Sequence, residues 1–305
     1  MEKVKKILTK AIPLWMAILI AVDSTLLMGF AQYFFLKREF NKAVLELSQT
    51  TKSPEELVQV IKQEVLPQQG YTTSLKWKNL GKQLVDAGAI DKQKYEEIFA
   101  GSEEMKYLEG SSEDNIKIDE NNSRFLVNTF WALGLANKSR VLEEGPMRTS
   151  GNDTANFAST GGWTLGKMDA MKLYSSEPII PLTDEQQELV TKIAQNVYRP
   201  CCGNSTYFPD CNHGMAALGY IEWAVYNGLG EDQIYKDLLA FNSYWFPQTY
   251  VEMAVYFDKQ GTKWATVNPK LALSADYSSA QGAQRIQQAV QNVPGIQSQG
   301  GSCST

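Results

Sequence analysis

The apolar positions of this chain fall into one unbroken block near the N-terminus, followed by a series of shorter runs at helical spacing. From Ala11 to Leu36 the stretch AIPLWMAILIAVDSTLLMGFAQYFFL holds no Lys, Arg or Glu, and it exceeds the roughly 20 apolar residues needed to cross a bilayer core. It is expected to form a transmembrane helix. A cleaved secretory signal, with Gly29 and Ala31 as small residues at suitable spacing, and a buried core helix are the alternatives. Apolar residues running on to Leu36 make the block too long for an ordinary signal core, which favours an uncleaved anchor. Phe40, Val44, Leu45 and Leu47 carry the helical spacing toward Thr50 as a stalk.

Beyond the stalk, Ser53-Pro54-Glu55-Glu56 supplies an N-cap, a first-turn proline and acidic residues for a helix that Pro67 closes. Helices are expected over Trp77 to Ala87 and Lys92 to Phe99, separated by Gly88 and restarted by Asp91 as cap. Gly101 to Asn122 is charged and carries Gly and Ser, with only Ile116-Lys-Ile118 hinting at extended structure, and reads as a surface connection and a subdomain boundary. Ser123 to Asn137 has Phe125, Leu126, Phe130 and Leu133 on one helical side. Gly145 to Gly166 reads as a loop from which Trp163 packs back on the body. Thr183 and Gln186 form a capping-box pair for a helix reaching about Tyr198. Further helices are expected over Gly214 to Asn227, Glu231 to Trp245, Pro247 to Gln260 and Ala280 to Val290.

These elements predict a mainly α protein: an N-terminal transmembrane helix followed by a helical-bundle soluble domain with long loops. The expected organisation is a cytoplasmic N-terminus (1–10), an anchor (11–36), a stalk and helical region (37–100), a connecting segment (101–122), a helical domain with a Cys/His cluster (123–291) and a flexible tail (292–305). At 305 residues there is ample chain for a substantial core. Asp and Glu outnumber Lys and Arg by 34 to 29, which leaves no basic surface for a phosphate backbone and argues against nucleic acid as a partner.

Lys3, Lys5, Lys6 and Lys10 before the apolar block, against Lys37, Arg38 and Lys42 after it, narrowly favour a cytoplasmic N-terminus. The cysteines point the same way: three of the four lie within eleven positions, which suits an oxidising or metal-handling compartment outside the cytoplasm. The expected localisation is therefore a single-pass membrane protein with its soluble domain extracytoplasmic. Asp23, an ionisable residue inside the span, marks a helix–helix contact with a protein partner or a protonated carboxyl in a lone anchor.

The candidate chemistry is concentrated between Cys201 and Met215. Cys201, Cys202, Cys211, His213 and Met215 offer thiolate, imidazole and thioether donors, which Cu(I) and Zn(II) prefer, so copper or zinc is the expected cofactor. The spacing C-C-x8-C-x-H-x-M is no standard zinc finger. Cys211 stands at the start of a helix, where the dipole favours its thiolate, so it is a candidate redox thiol. Cys303, on the tail, is a candidate resolving thiol or fourth ligand. The plainer reading is a structural disulfide from Cys201 or Cys202 to Cys211, with the protein a binding or scaffold module. Tyr220, Trp223, Tyr226, Tyr235, Tyr244, Trp245, Phe246 and Tyr250 are expected to build the core rather than a haem or ligand pocket, though these aromatic helices are also a candidate partner surface. No Gly-rich phosphate loop, serine nucleophile elbow or His-Glu metalloprotease helix is present.

Val190 to Pro247 resembles the membrane-anchored thiol-oxidoreductases of cytochrome c maturation. The resemblance rests on a helix leading to Arg199-Pro-Cys-Cys202, then Gly-Asn-Ser-Thr206 and Asp210, a helix, and the restart Gly228-Leu-Gly-Glu-Asp-Gln-Ile234. It implies a periplasm-facing helical domain acting on apocytochrome thiols, with Cys202 as counterpart of a redox cysteine. Adjacent Cys201 and Cys202 replace that family's Cys-x-x-Cys, and Cys211-Asn-His213 is additional. The string RPCCGNSTYFPDCNHGM also looks like anchored bacterial proteins of uncharacterised activity.

Overall fold

A computed structural model describes residues 13–16, 28–30, 32–42 and 52–296. The chain divides into two compact units, Met1–Ser53 and Pro54–Thr305. In the first, residues 14–16, 28–30 and 32–42 are helical, and Trp15, Phe30, Phe34, Phe35 and Phe40 are exposed. Among the described residues no helix is long and apolar enough to cross a membrane. The rest of the apolar block, Asp23 included, lies outside the described residues, as does Cys303.

The second unit is mainly helical, as the spacing of its apolar positions predicts. Helix α1 (Pro54–Val65) opens it with the acidic first turn Glu55 and Glu56 and buries Val58, Ile61 and Val65 on one stripe. The chain then departs from expectation. Trp77 belongs not to a helix but to strand β1 (Tyr71–Lys78), in which Thr73, Leu75 and Trp77 are buried. The period is two, not 3.6. Helix α2 (Leu80–Asp86) follows only after Lys78, at φ +46°, turns the chain. Helix α3 (Lys92–Ile98) is capped by Asp91, whose side chain accepts from the Gln93 N–H.

The strand β1 pairs antiparallel with β2 (Ser112–Ile118), joining Tyr71 to Ile118 and Lys78 to Ser112. The expected connecting segment thus supplies a strand with Ile116 and Ile118 fully buried, and lies within the same compact unit as both flanks. The register breaks between Thr72 and Lys76. There the Thr73 hydroxyl donates to the Ile116 carbonyl at 3.0 Å and accepts from the Leu75 N–H at 3.1 Å, satisfying groups that the irregularity removes from the ladder. Trp77 stacks on Tyr107 at 4.5 Å between ring centroids.

The core is built on the pairing of helix α4 (Ser123–Ala136) with the later helix that follows the cysteine loop. Helix α5 (Asp184–Ala194) carries the complete capping box of Thr183 and Gln186. Helix α6 (Asn212–Tyr226) runs against α4 and is buried on nearly every side. Their crossing is set by glycine: a Cβ on Gly134 would overlap the Met215 carbonyl and stand 2.9 Å from the Gly219 nitrogen, while one on Gly219 would overlap the Phe130 carbonyl. Both glycines have helical backbone, so closeness of approach, not conformational freedom, is what the position demands.

Helices α7 (Glu231–Trp245), α8 (Pro247–Lys259) and α9 (Ala280–Val290) complete the body. Buried Asp237 of α7 accepts from the Tyr220 hydroxyl at 2.5 Å, the Tyr71 hydroxyl at 2.6 Å and the Gln233 amide at 2.7 Å. One carboxylate therefore ties β1, α6 and α7 together. Trp163 packs back on the body as expected, its indole N–H donating to the Ala89 carbonyl at 3.1 Å.

At the far end of α6, Glu222 is fully buried and receives the Asn137 amide at 3.0 Å. Burial pushes its carboxyl from 4.5 up to about 8. A raised carboxyl pKa means that the unfolded chain ionises first, so stability is full below about pH 4.5 and falls until the folded group ionises near pH 8. Urea titrations across that window should show a fall on the order of 5 kcal/mol from this group, and E222Q should remove it. An undiminished slope in E222Q would refute the assignment. Gly134→Ala or Gly219→Ala should lose about 3 kcal/mol in the same assay, while Gly110→Ala, which meets nothing within 4 Å, should stay within about 0.5 kcal/mol.

Candidate functional site

Helix α5 stops at Ala194, four residues short of the predicted end, because the chain leaves it to pair with itself. The Asn196 side chain donates to the Lys192 carbonyl at 2.9 Å, the Thr206 N–H returns to the Val197 carbonyl at 2.8 Å, and the Tyr207 N–H to the Ala194 carbonyl at 3.0 Å. Tyr198 and Ser205 form an antiparallel bridge. The result is a closed loop with Cys201 and Cys202 at its tip. The Cys202 carbonyl accepts from the Ala280 N–H at 2.9 Å, which fastens the tip to the start of α9.

Cys211 is the N-cap of α6, in extended conformation, and its Sγ accepts from the Gly214 N–H at 3.4 Å. The loop brings Cys201 Sγ to 3.4 Å from Cys211 Sγ, and the sulfurs of Cys201, Cys202 and Cys211 all lie within 4.8 Å of one another. The three are free and half-buried, so the expected disulfide does not join them. They form a group close enough to hold a metal ion.

The residue that organises this group had no role assigned from sequence. Arg199 is 1% exposed, and its guanidinium is hydrogen-bonded on every nitrogen. Nε donates to Cys211 Sγ at 3.1 Å, Nη1 to the Asn204 carbonyl at 2.9 Å, and Nη2 to the Phe208 carbonyl at 3.0 Å and to Asp210 Oδ1 at 2.6 Å. Asn204 Nδ2 donates to the other Asp210 oxygen at 2.8 Å. Gly214 completes the cradle: a Cβ there would stand 2.5 Å from Arg199 Cζ, so the guanidinium lies flat on the first turn of α6.

Of the three thiols, Cys211 is the one whose ionised form the surroundings favour. Donation from the Cys201 and Cys202 thiols, with the Arg199 charge and Nε–H beside it, sets the Cys211 thiol well below its usual range despite burial. Cys201 goes the other way, since its proton is shared with Cys202 and Cys211 and its sulfur is part-buried. Although the Cys201 thiol donates to it, Cys202 is pushed up to about 12 by its own donation to Cys211 and by burial. The chemistry available is that of one acidified thiol, Cys211, flanked by two whose protons are held more firmly.

His213 and Met215 take other places. His213 is 5% exposed and packs its ring 4.4 Å from Phe246 and 5.8 Å from Trp245. It does not join the mutual spacing of the three sulfurs. Burial lowers its pKa to about 4, so the ring is neutral at pH 7. Met215 is fully buried one turn inside α6, where its N–H bonds the Cys211 carbonyl at 3.0 Å and its carbonyl lies under Gly134. Of the aromatic residues, Tyr220, Trp223, Tyr235, Tyr244 and Tyr250 are core, as expected. The signal for the missed residues was present as Arg199, Asn204 and Asp210 around the cysteines, but a buried guanidinium is not readable from a surface-type residue.

No protein-family model matches the chain, and no curated protein or solved structure matches it.

Gly214→Ala tests the cradle, because the added methyl must displace the guanidinium from Cys211. The pH midpoint of iodoacetamide alkylation at Cys211, followed by peptide mass spectrometry, should rise in this variant by about one unit or more, the scale of shift a contacting charge produces. An unchanged midpoint would mean that Arg199 does not set the thiolate.

Proposed function

We propose that the protein handles a soft metal ion at Cys201, Cys202 and Cys211, with Cu(I) ahead of Zn(II). The observation that carries this reading is the mutual 4.8 Å spacing of three sulfurs on a half-open loop. Three thiolates satisfy Cu(I), whereas a structural zinc site is closed by four ligands, and no His, Asp or Glu among the described residues completes the set. The ion would bind between the loop tip and the start of α6, with Arg199 offsetting part of the thiolate charge.

A second reading, thiol–disulfide exchange, is favoured by Arg199 Nε at 3.1 Å from Cys211 Sγ with Cys201 at 3.4 Å from the same sulfur. In that case Cys211 attacks a partner's disulfide and releases one partner thiol, and Cys201 or Cys202 resolves the mixed disulfide by releasing the other. The resemblance to cytochrome c maturation thiol-oxidoreductases would make an apocytochrome thiol or a haem-related step the context. For either chemistry the proposed setting is a single-pass membrane protein with an extracytoplasmic domain, supported by the apolar block of residues 11–36.

Titration of the reduced chain with Cu(I) and Zn(II), against a C201S/C202S/C211S control, separates the two readings. The metal reading expects one Cu(I) per chain, bound more tightly than Zn(II) and lost in the control. No uptake above the control would end it. The exchange reading expects a Cys201–Cys211 or Cys202–Cys211 disulfide with a reduction potential well above the roughly −300 mV of inert structural disulfides, and a potential below that would exclude it.

A further inference from the structure

We propose that the three-sulfur cluster also takes trivalent arsenic, entering as the neutral trihydroxide and held as a pyramidal tris-thiolate of Cys201, Cys202 and Cys211. The inference deepens the soft-metal reading by naming a substrate class for the same site.

The first ground is the donor count. Three sulfurs lie within 4.8 Å of one another, and no His, Asp or Glu among the described residues joins them. His213, the chain's single histidine, is packed between Trp245 and Phe246 instead. A centre that needs a fourth ligand must take it from solvent, whereas trivalent arsenic is complete with three and keeps its lone pair where a fourth would stand.

The second ground is charge. Arg199 is the buried cation at the site, and its charge is shared between Asp210 at 2.6 Å and Cys211 Sγ at 3.1 Å. The tris-thiolate of a divalent ion carries one net negative charge and that of Cu(I) two, of which the shared Arg199 charge offsets only part, and a part-buried site must desolvate the rest. The arsenic tris-thiolate is neutral. Three half-buried sulfurs beside a guanidinium shared with Asp210 accept a neutral product at the least electrostatic expense.

The third ground is spacing. With bonds of about 2.3 Å, sulfurs lie about 4.0 Å apart around a planar three-coordinate centre and about 3.8 Å apart around a tetrahedral one, but only about 3.4 Å apart around a pyramidal centre with angles near 95°. The Cys201–Cys211 edge is 3.4 Å. That edge suits the pyramidal centre without opening, and the Cys202 sulfur lies within 4.8 Å of both.

The binding step is a ligand exchange with no redox change. Three As–S bonds replace three As–O bonds, each thiol proton leaves with one hydroxyl group as water, and one trihydroxide with three thiols gives the tris-thiolate and three waters. Where a cysteine starts as thiolate, the departing hydroxide takes its proton from solvent.

The test uses the reduced full-length chain and arsenite, with Cu(I) titrated in parallel. One arsenite per chain should consume three of the four thiols toward Ellman's reagent and raise ultraviolet sulfur-to-arsenic absorption. C201S, C202S and C211S should each weaken binding about tenfold or more, while C303S should bind as the parent does. The parent thiol count is decisive even if a variant folds poorly. Consumption of only two thiols, or full-strength binding by C202S, overturns the inference. Cu(I) binding to all three cysteines with no arsenite uptake also overturns it while leaving the soft-metal reading intact. Failure of both ions removes both.

Discussion

The approach of α4 and α6 at Gly134 and Gly219 is the constraint on which the rest of the second unit depends. Each glycine meets the other helix's backbone rather than its side chains, so the two axes come closer than any larger residue permits. That closeness makes α6 a buried spine. Along it, in order, stand Cys211 as cap, Met215 and Gly219 at the crossing, Tyr220 on Asp237, and Glu222 under Asn137. A shift of this helix along its axis would disturb the sulfur cluster at one end and the Asn137–Glu222 pair at the other. The cluster is therefore positioned by the core and not by its own loop alone.

A buried guanidinium is the electrostatic counterpart of that mechanical constraint. Arg199 is taken out of water, which is tolerable only because its charge and its donors are met by Asp210, two carbonyls and the Cys211 sulfur. The same set of contacts closes the loop from residue 199 to 211 and holds the anion on the helix cap. Structure and chemistry are not separable here. What makes the loop stable is also what makes one of its three thiols acidic.

Much of the helical content was legible because its signals are local. Thr183 and Gln186 bond each other's backbone, Asp91 caps α3, and Glu231–Trp245 and Ala280–Val290 begin and end where periodicity and caps place them. Cys211 at the start of a helix was readable for the same reason. The strands were not. Tyr71–Lys78 and Ser112–Ile118 are short, are separated by two helices, and hold their bulge through the Thr73 hydroxyl. Their pairing depends on a partner about forty residues away, and Trp77, apolar in either geometry, gave no means of telling a period of two from one of 3.6.

At the site, the sequence by itself determined the inventory: three cysteines and one histidine within a short span, and a helix beginning at the third cysteine. Only the tertiary structure decided which of them meet. It brought Cys201 and Cys202 to Cys211, set His213 among aromatic rings and placed Met215 at a helix crossing. It also turned Arg199, by composition a surface residue, into the buried charge on Cys211. The reason is that donor type belongs to single residues, whereas distance, burial and the sign of the local field arise from segments far apart in the chain and exist only once those segments are packed.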